Sequence, residues 1–73
     1  PEKFTLLELQ STYEAIFGVE YDKPNFRKKI LSMKILEDLN ELQSNVNHRP
    51  AKLYRFDRGK YNTLKNMGFQ FEF

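Results

Sequence analysis

The chain contains no cysteine and no tryptophan, a single histidine, and only three glycines and three prolines. Without cysteine there is no disulfide framework and no thiolate metal site, so the usual staples of a small domain are missing. The lone histidine, His48, has no second histidine and no cysteine with which to form a metal site or a nucleophilic pair. Neither a Gly-x-Ser-x-Gly run nor a glycine-rich phosphate loop is present, and no two carboxylates are spaced for acid–base work. An enzyme is therefore not expected in this chain. Its apolar runs fall well short of the ~18 residues of a membrane span, and no signal-peptide pattern opens it. The expectation is a soluble domain of a reducing compartment with no membrane partner.

What is present is a 73-residue chain that is 40% hydrophobic, with seven Phe and four Tyr. That is too apolar for a disordered tail. The length allows one domain, residues 1–73. A chain this short buries only about 60% of its unfolded surface, so the core will be small and the domain reads as a piece of a larger protein.

The net charge of +2 hides a segmented distribution. Residues 1–22 carry Glu2, Glu8, Glu14, Glu20 and Asp22 against Lys3. Residues 23–34 carry Lys23, Arg27, Lys28, Lys29 and Lys34 with no acid, and residues 35–47 carry Glu37, Asp38 and Glu41 with no base. Residues 48–65 then carry Arg49, Lys52, Arg55, Arg58, Lys60 and Lys65 against Asp57. Two basic blocks set between acidic ones match a polyanion-binding face on a nearly neutral domain. Ordinary mixed surface charge is the competing explanation.

Local signals divide the chain into elements. Thr5 and Glu8 form a capping box, Phe4 can staple onto Leu9, and Leu6, Leu9, Tyr13, Ile16 and Phe17 recur at helical spacing. Gly18 supplies the left-handed stop, which predicts a helix over about 6–17. Asp22 followed by Pro24 starts a second helix, about 23–34, with Phe26, Ile30 and Met33 on its apolar face. On that helix Lys28 points directly away from the apolar face, and Arg27 and Lys29 flank it. Leu36, Leu39, Leu42 and Val46 leave the next stretch open between a helix running on to about 43 and a strand over about 36–42. Turn formers at 43–50 and a strand at 52–56, which needs a partner, favour a hairpin. Asp57 predicts a short helix over 58–67, with Tyr61 and Leu64 on one side and Gly68 as its stop. Phe69, Phe71 and Phe73 alternate with polar residues as a final strand, at an edge or beside Lys3-Phe4. Tyr13, Phe17, Phe26, Tyr54 and Phe56 fall at core-facing positions and read as packing rather than as a stacking platform.

This order is that of a helix-turn-helix followed by a wing. Asn25, Arg27 and Lys28 would read bases, since Asn pairs with adenine and Arg with guanine in the major groove. Lys23, Lys29, Lys52 and Arg55 would hold phosphates, and His48 and Arg49 would sit on the wing beside the minor groove. The rival assignment makes the second helix basic only for solubility and pairs the hairpin's arginines with Glu37 or Asp38.

Two runs carry a family resemblance: Asp22-Lys23-Pro24-Asn25-Phe26-Arg27-Lys28-Lys29, and His48-Arg49-Pro50-Ala51-Lys52-Leu53-Tyr54-Arg55-Phe56. With the opening Phe4-Thr5-Leu6-Leu7-Glu8-Leu9-Gln10 they resemble the C-terminal winged-helix domain of Nudix-related (NrtR-like) transcriptional regulators, over essentially residues 3–73. The resemblance implies an α+β winged helix-turn-helix, a small helical core with a β-hairpin wing, here lacking the first helix of the fold. It decides for a strand over 36–42 and places Asn25, Arg27, Lys28 and Lys29 on the recognition helix and His48 and Arg49 at the wing. Such proteins resemble bacterial cytoplasmic repressors of NAD-synthesis or sugar-catabolism genes. They bind palindromic double-stranded operators as homodimers and release them when an N-terminal Nudix domain binds ADP-ribose or a related nucleotide. No Nudix box is present, so the effector site, and any cofactor, is expected outside this chain. Lys34 stands where relatives commonly have a helix-ending Gly, which implies a strained or extended helix end. The alternative function is a protein-interaction or dimerisation module of a Nudix hydrolase, motivated by the Phe69/Phe71/Phe73 stripe and the acidic first helix.

Overall fold

The computed structural model describes residues 2–67, and the elements follow in the order α1 (Leu6–Phe17), α2 (Lys23–Ser32), β1 (Leu36–Leu42), β2 (Lys52–Phe56) and α3 (Arg58–Asn66). The predicted Gly68 stop and the strand over 69–73 lie outside the described residues.

α1 starts on the expected capping box: Thr5 Oγ1 accepts from the Glu8 amide at 3.1 Å, and Glu8 Oε1 accepts from the Thr5 amide at 2.8 Å. Two otherwise orphaned helix-start amides are thereby satisfied. At the other end Gly18 takes φ +65° and its N–H returns to the Glu14 carbonyl. Only glycine adopts that conformation without a Cβ penalty.

The turn between the helices is held by two side chains of α1. Buried Gln10 donates from Nε2 to the Tyr21 carbonyl at 3.0 Å, and Glu14 Oε2 accepts from the Tyr21 amide at 2.8 Å. Asp22 then caps α2 by accepting from the Asn25 amide, with Pro24 in the first turn. α2 is shorter than the predicted 23–34. The Ser32 hydroxyl donates to the Lys29 carbonyl at 2.6 Å, and Lys34 turns the chain out of the helix at φ +57°. The helix end is therefore strained at Lys34 and not extended.

β1 and β2 pair antiparallel, with Leu36 opposite Phe56 and Asp38 opposite Tyr54, so the strand assignment of 36–42 holds. The register shifts between Asp38 and Glu41, where Asn40 sits at φ +54° and donates its N–H to Asp38 Oδ1. Phe4 pairs with Tyr54 through two backbone hydrogen bonds of 2.9 and 2.7 Å, laying the start of the chain along the free edge of β2. The Asp57 amide donates to the Ile35 carbonyl and the Asp57 carboxylate accepts from the Lys60 amide, closing the hairpin's base and starting α3.

Phe4, Leu6, Leu9, Phe26, Ile30 and Ile35 are buried together, with Tyr13, Tyr21, Met33, Tyr54, Phe56 and Tyr61 packed around them. Tyr13 meets Phe26 edge-on at 5.8 Å and Tyr21 stacks on Phe26 at 5.5 Å. Burial, reinforced by Tyr61 and Tyr21, pushes the Tyr13 phenol up to about 12. The helical stripe of α1 is only partly covered: Ile16 is 66% and Phe17 53% exposed, against the core-facing role read from their spacing. The last turn of α1 overhangs a core too small to reach it, and Phe17 meets Tyr13 edge-on at 6.1 Å.

Candidate nucleic-acid interface

The exposed surface of α2 follows from its buried stripe. Phe26 and Ile30, four residues apart, face the core, which leaves Asn25, Lys28 and Lys29 in solvent. None of these three side chains has a hydrogen-bond or ion-pair partner among the described residues. Lys23 and Arg27, also four residues apart, share a different face that looks across a cleft of about 560 Å³ toward the wing. On its far side the cleft is lined by Gln43, His48, Arg49, Ala51 and Lys52, and the start of α1, Glu8 included, and Tyr54 form its other walls.

The wing is closed at its base by Gln43, whose N–H donates to the Ala51 carbonyl and whose Oε1 accepts from the Ala51 amide. This residue escaped the reading from sequence; a glutamine in a run of turn formers carries no distinctive signal. Beyond it His48 and Arg49 are exposed, and His48 Nδ1 lies 2.9 Å from the Arg49 carbonyl.

Strand alternation divides the hairpin's cations. Lys52, Tyr54 and Phe56 share the face turned toward α2 and the core, while Arg55 lies on the opposite face. Lys52 pairs with Asp38 at 3.3 Å and Arg55 with Glu37 at 2.8 Å, the cross-strand pairing weighed as the rival assignment. The Asn40 amide, and secondarily Lys52, hold the Asp38 carboxyl below the usual aspartate range; Glu37 raises the Arg55 guanidinium above its usual value. Both pairs are solvent-exposed, so they orient side chains more than they stabilise the fold.

Of the residues expected to contact nucleic acid, Lys23, Arg27, His48, Arg49 and Lys52 are thus brought to one cleft. Asn25, Lys28 and Lys29 stand on the adjoining exposed surface of α2. Arg55 does not join them; it faces a separate depression lined by Glu2, Glu37 and Arg58. Arg27 differs from its neighbours on α2 in being half-buried, with Nε out of contact with solvent and without an acceptor.

Two helices joined by a tight, side-chain-braced turn, followed by a hairpin whose loop comes back beside the second helix, define a winged helix-turn-helix, the class that docks a helix in the major groove and a wing beside it. Residues 1–56 match the NrtR DNA-binding winged helix domain family, and the chain belongs to that family. The match ends with the last residue of β2, so α3 lies beyond it. The chain is 40% identical over 56 residues to the ADPR responsive transcriptional repressor NtrR of Acinetobacter baylyi. That alignment covers 77% of this chain and 22% of the relative, so the chain spans about a fifth of the length of the curated relative it matches.

Proposed function

We propose that this domain binds a double-stranded operator on behalf of a transcriptional repressor, with α2 in the major groove and the wing beside the adjacent minor groove. The convergence of Lys23, Arg27, His48, Arg49 and Lys52 on one cleft, beside the exposed Asn25 and Lys28, carries this reading. Asn25 and Lys28 are the base readers, because both stand clear of the fold on the outer surface of α2. Lys23, Lys29 and Lys52 hold phosphates, and His48 and Arg49 follow the minor groove. Arg55, turned away and paired with Glu37, has no part in it.

The regulatory half of the proposal draws on the relative's name. An ADP-ribose-like nucleotide, bound by a Nudix domain elsewhere in the parent protein, would release the operator, and two copies would read a palindrome. Three acids of the first segment have local structural roles: Glu8, Glu14 and Asp22 are engaged in the capping box, the inter-helix turn and the α2 cap.

The test is a mobility shift with the full-length protein and the DNA upstream of its own gene, at several salt concentrations and with or without ADP-ribose. Retardation that weakens steeply with salt and is relieved by ADP-ribose is expected. No retardation at low salt would sink the proposal and leave the alternative, a protein-docking module, for which the exposed Ile16, Phe17 and Val19 are the available surface.

A further inference from the structure

Arg27 is the one cation of α2 that is not free to reach outward. Its neighbours Lys28 and Lys29 are exposed, whereas its own side chain is half-buried in the cleft between α2 and the wing. A side chain that reads a base must stand proud of its helix and reach a base edge deep in the major groove. Arg27 is instead laid sideways toward β2. Its Nε is buried without a hydrogen-bond acceptor, and a buried, unpaired donor on a charged group is costly to leave unmet.

On the cleft side the guanidinium meets a concentration of positive charge. Lys23 lies one turn before Arg27 on the same face of α2, and Lys52 and Arg49 approach from the hairpin side. One carboxylate, Glu8, lines the cleft, and it accepts from the Thr5 amide in the capping box. It forms no ion pair with Arg27 among the described residues. The arrangement lacks an anion of one or two charges with oxygens to accept from a guanidinium fork, which is the chemistry of a phosphodiester.

We infer that the cleft between α2 and the wing seats one backbone phosphate of duplex DNA, and that Arg27 grips this phosphate and reads no base. This deepens the DNA-binding reading and rests on it. One phosphate held from both sides would fix the angle between the recognition helix and the wing on the duplex. Arg27 then acts on register and affinity, and sequence preference falls to Asn25 and Lys28.

The experiment compares the full-length protein with its Arg27→Gln and Lys28→Ala variants. The probes are a duplex from the DNA upstream of its gene, a scrambled duplex of the same composition, and a set in which single backbone phosphates are replaced by neutral methylphosphonates. Gln keeps part of the aliphatic stem without the charge, and an unchanged circular dichroism melt confirms that the variant folds. Arg27→Gln is expected to weaken both duplexes by the same factor, about tenfold, and to reduce the salt slope by about one. One methylphosphonate position should weaken the wild type and add nothing in Arg27→Gln. Lys28→Ala should lower the preference for the upstream duplex instead. If Arg27→Gln loses only the upstream duplex, or loses neither, the phosphate seat is overturned while DNA binding stands. Failure of the wild type to retard either duplex overturns both.

Discussion

Lys34 occupies a backbone conformation that lysine rarely adopts. At φ +57° its Cβ crowds the following carbonyl, a strain of about 1–2 kcal/mol that glycine escapes. The position cannot be given up, because it turns the chain from α2 so that Ile35, fully buried, enters the core beside Ile30. Lys34→Gly should raise stability by about 0.5–1 kcal/mol in urea denaturation, the relief of strain exceeding glycine's extra unfolded-state entropy. A loss of stability would show that the lysine makes compensating contacts. The resemblance implied a strained or extended end to the helix at this position, and a helix end is a local event. Arg27 was less legible. Its spacing put it correctly on the flank of the buried stripe, but whether a flank is open or walled depends on the hairpin, which is distant in sequence.

At the scale of elements, the hairpin is held by charge as well as by the pairing of Leu36 with Phe56. Asp38 illustrates how: its carboxylate accepts from the Asn40 amide at 2.9 Å and meets Lys52 at 3.3 Å. The amide is the larger cause of its lowered pKa. Because the folded value is depressed, the stabilisation is present above the ordinary aspartate range and is lost as the pH falls through the folded value. Followed by carboxyl-carbon NMR, Lys52→Ala should move the Asp38 midpoint only part of the way back, the Asn40 hydrogen bond persisting. Complete return to the ordinary value would assign the shift to Lys52 alone. The helices were legible at this scale because capping boxes, N-terminal prolines and C-terminal glycines act within a few residues. The hairpin was settled by the need of 52–56 for a partner. The register shift between Asp38 and Glu41 was less legible: Asn40, a turn former that tolerates φ +54°, is its local sign, but an isolated asparagine does not by itself place a bulge in a strand.

For the molecule as a whole, the two basic blocks visible in the sequence do not become one basic face. Strand alternation sends Arg55 to the side away from α2, and nothing in the total of +2 reveals this. Lys23→Ala and Arg55→Ala remove the same charge from opposite sides. Fluorescence anisotropy on a labelled duplex should show weakened binding and a salt slope smaller by about one for Lys23→Ala. Arg55→Ala should match the wild type, and equal losses in both would mean that net charge, not the face, governs affinity. The exposed end of α1 is the other feature out of reach of periodicity. Ile16 and Phe17 keep the helical repeat of a buried stripe, but how far a core extends is decided by everything packed against it.

The pairing of Phe4 with Tyr54 also bears on the order of assembly. α1, α2 and the β-hairpin are built from contacts between near neighbours in the chain, whereas this bridge joins the start of α1 to the far strand of the hairpin. Closing so long a loop is entropically the most demanding step and is rewarded only once β2 exists. On a chain emerging from the ribosome the Phe4 segment and both helices are out before β2 is made, so this bridge is the last of these contacts to close. Until then β2 presents an unpaired edge, the kind of surface through which nascent chains associate wrongly.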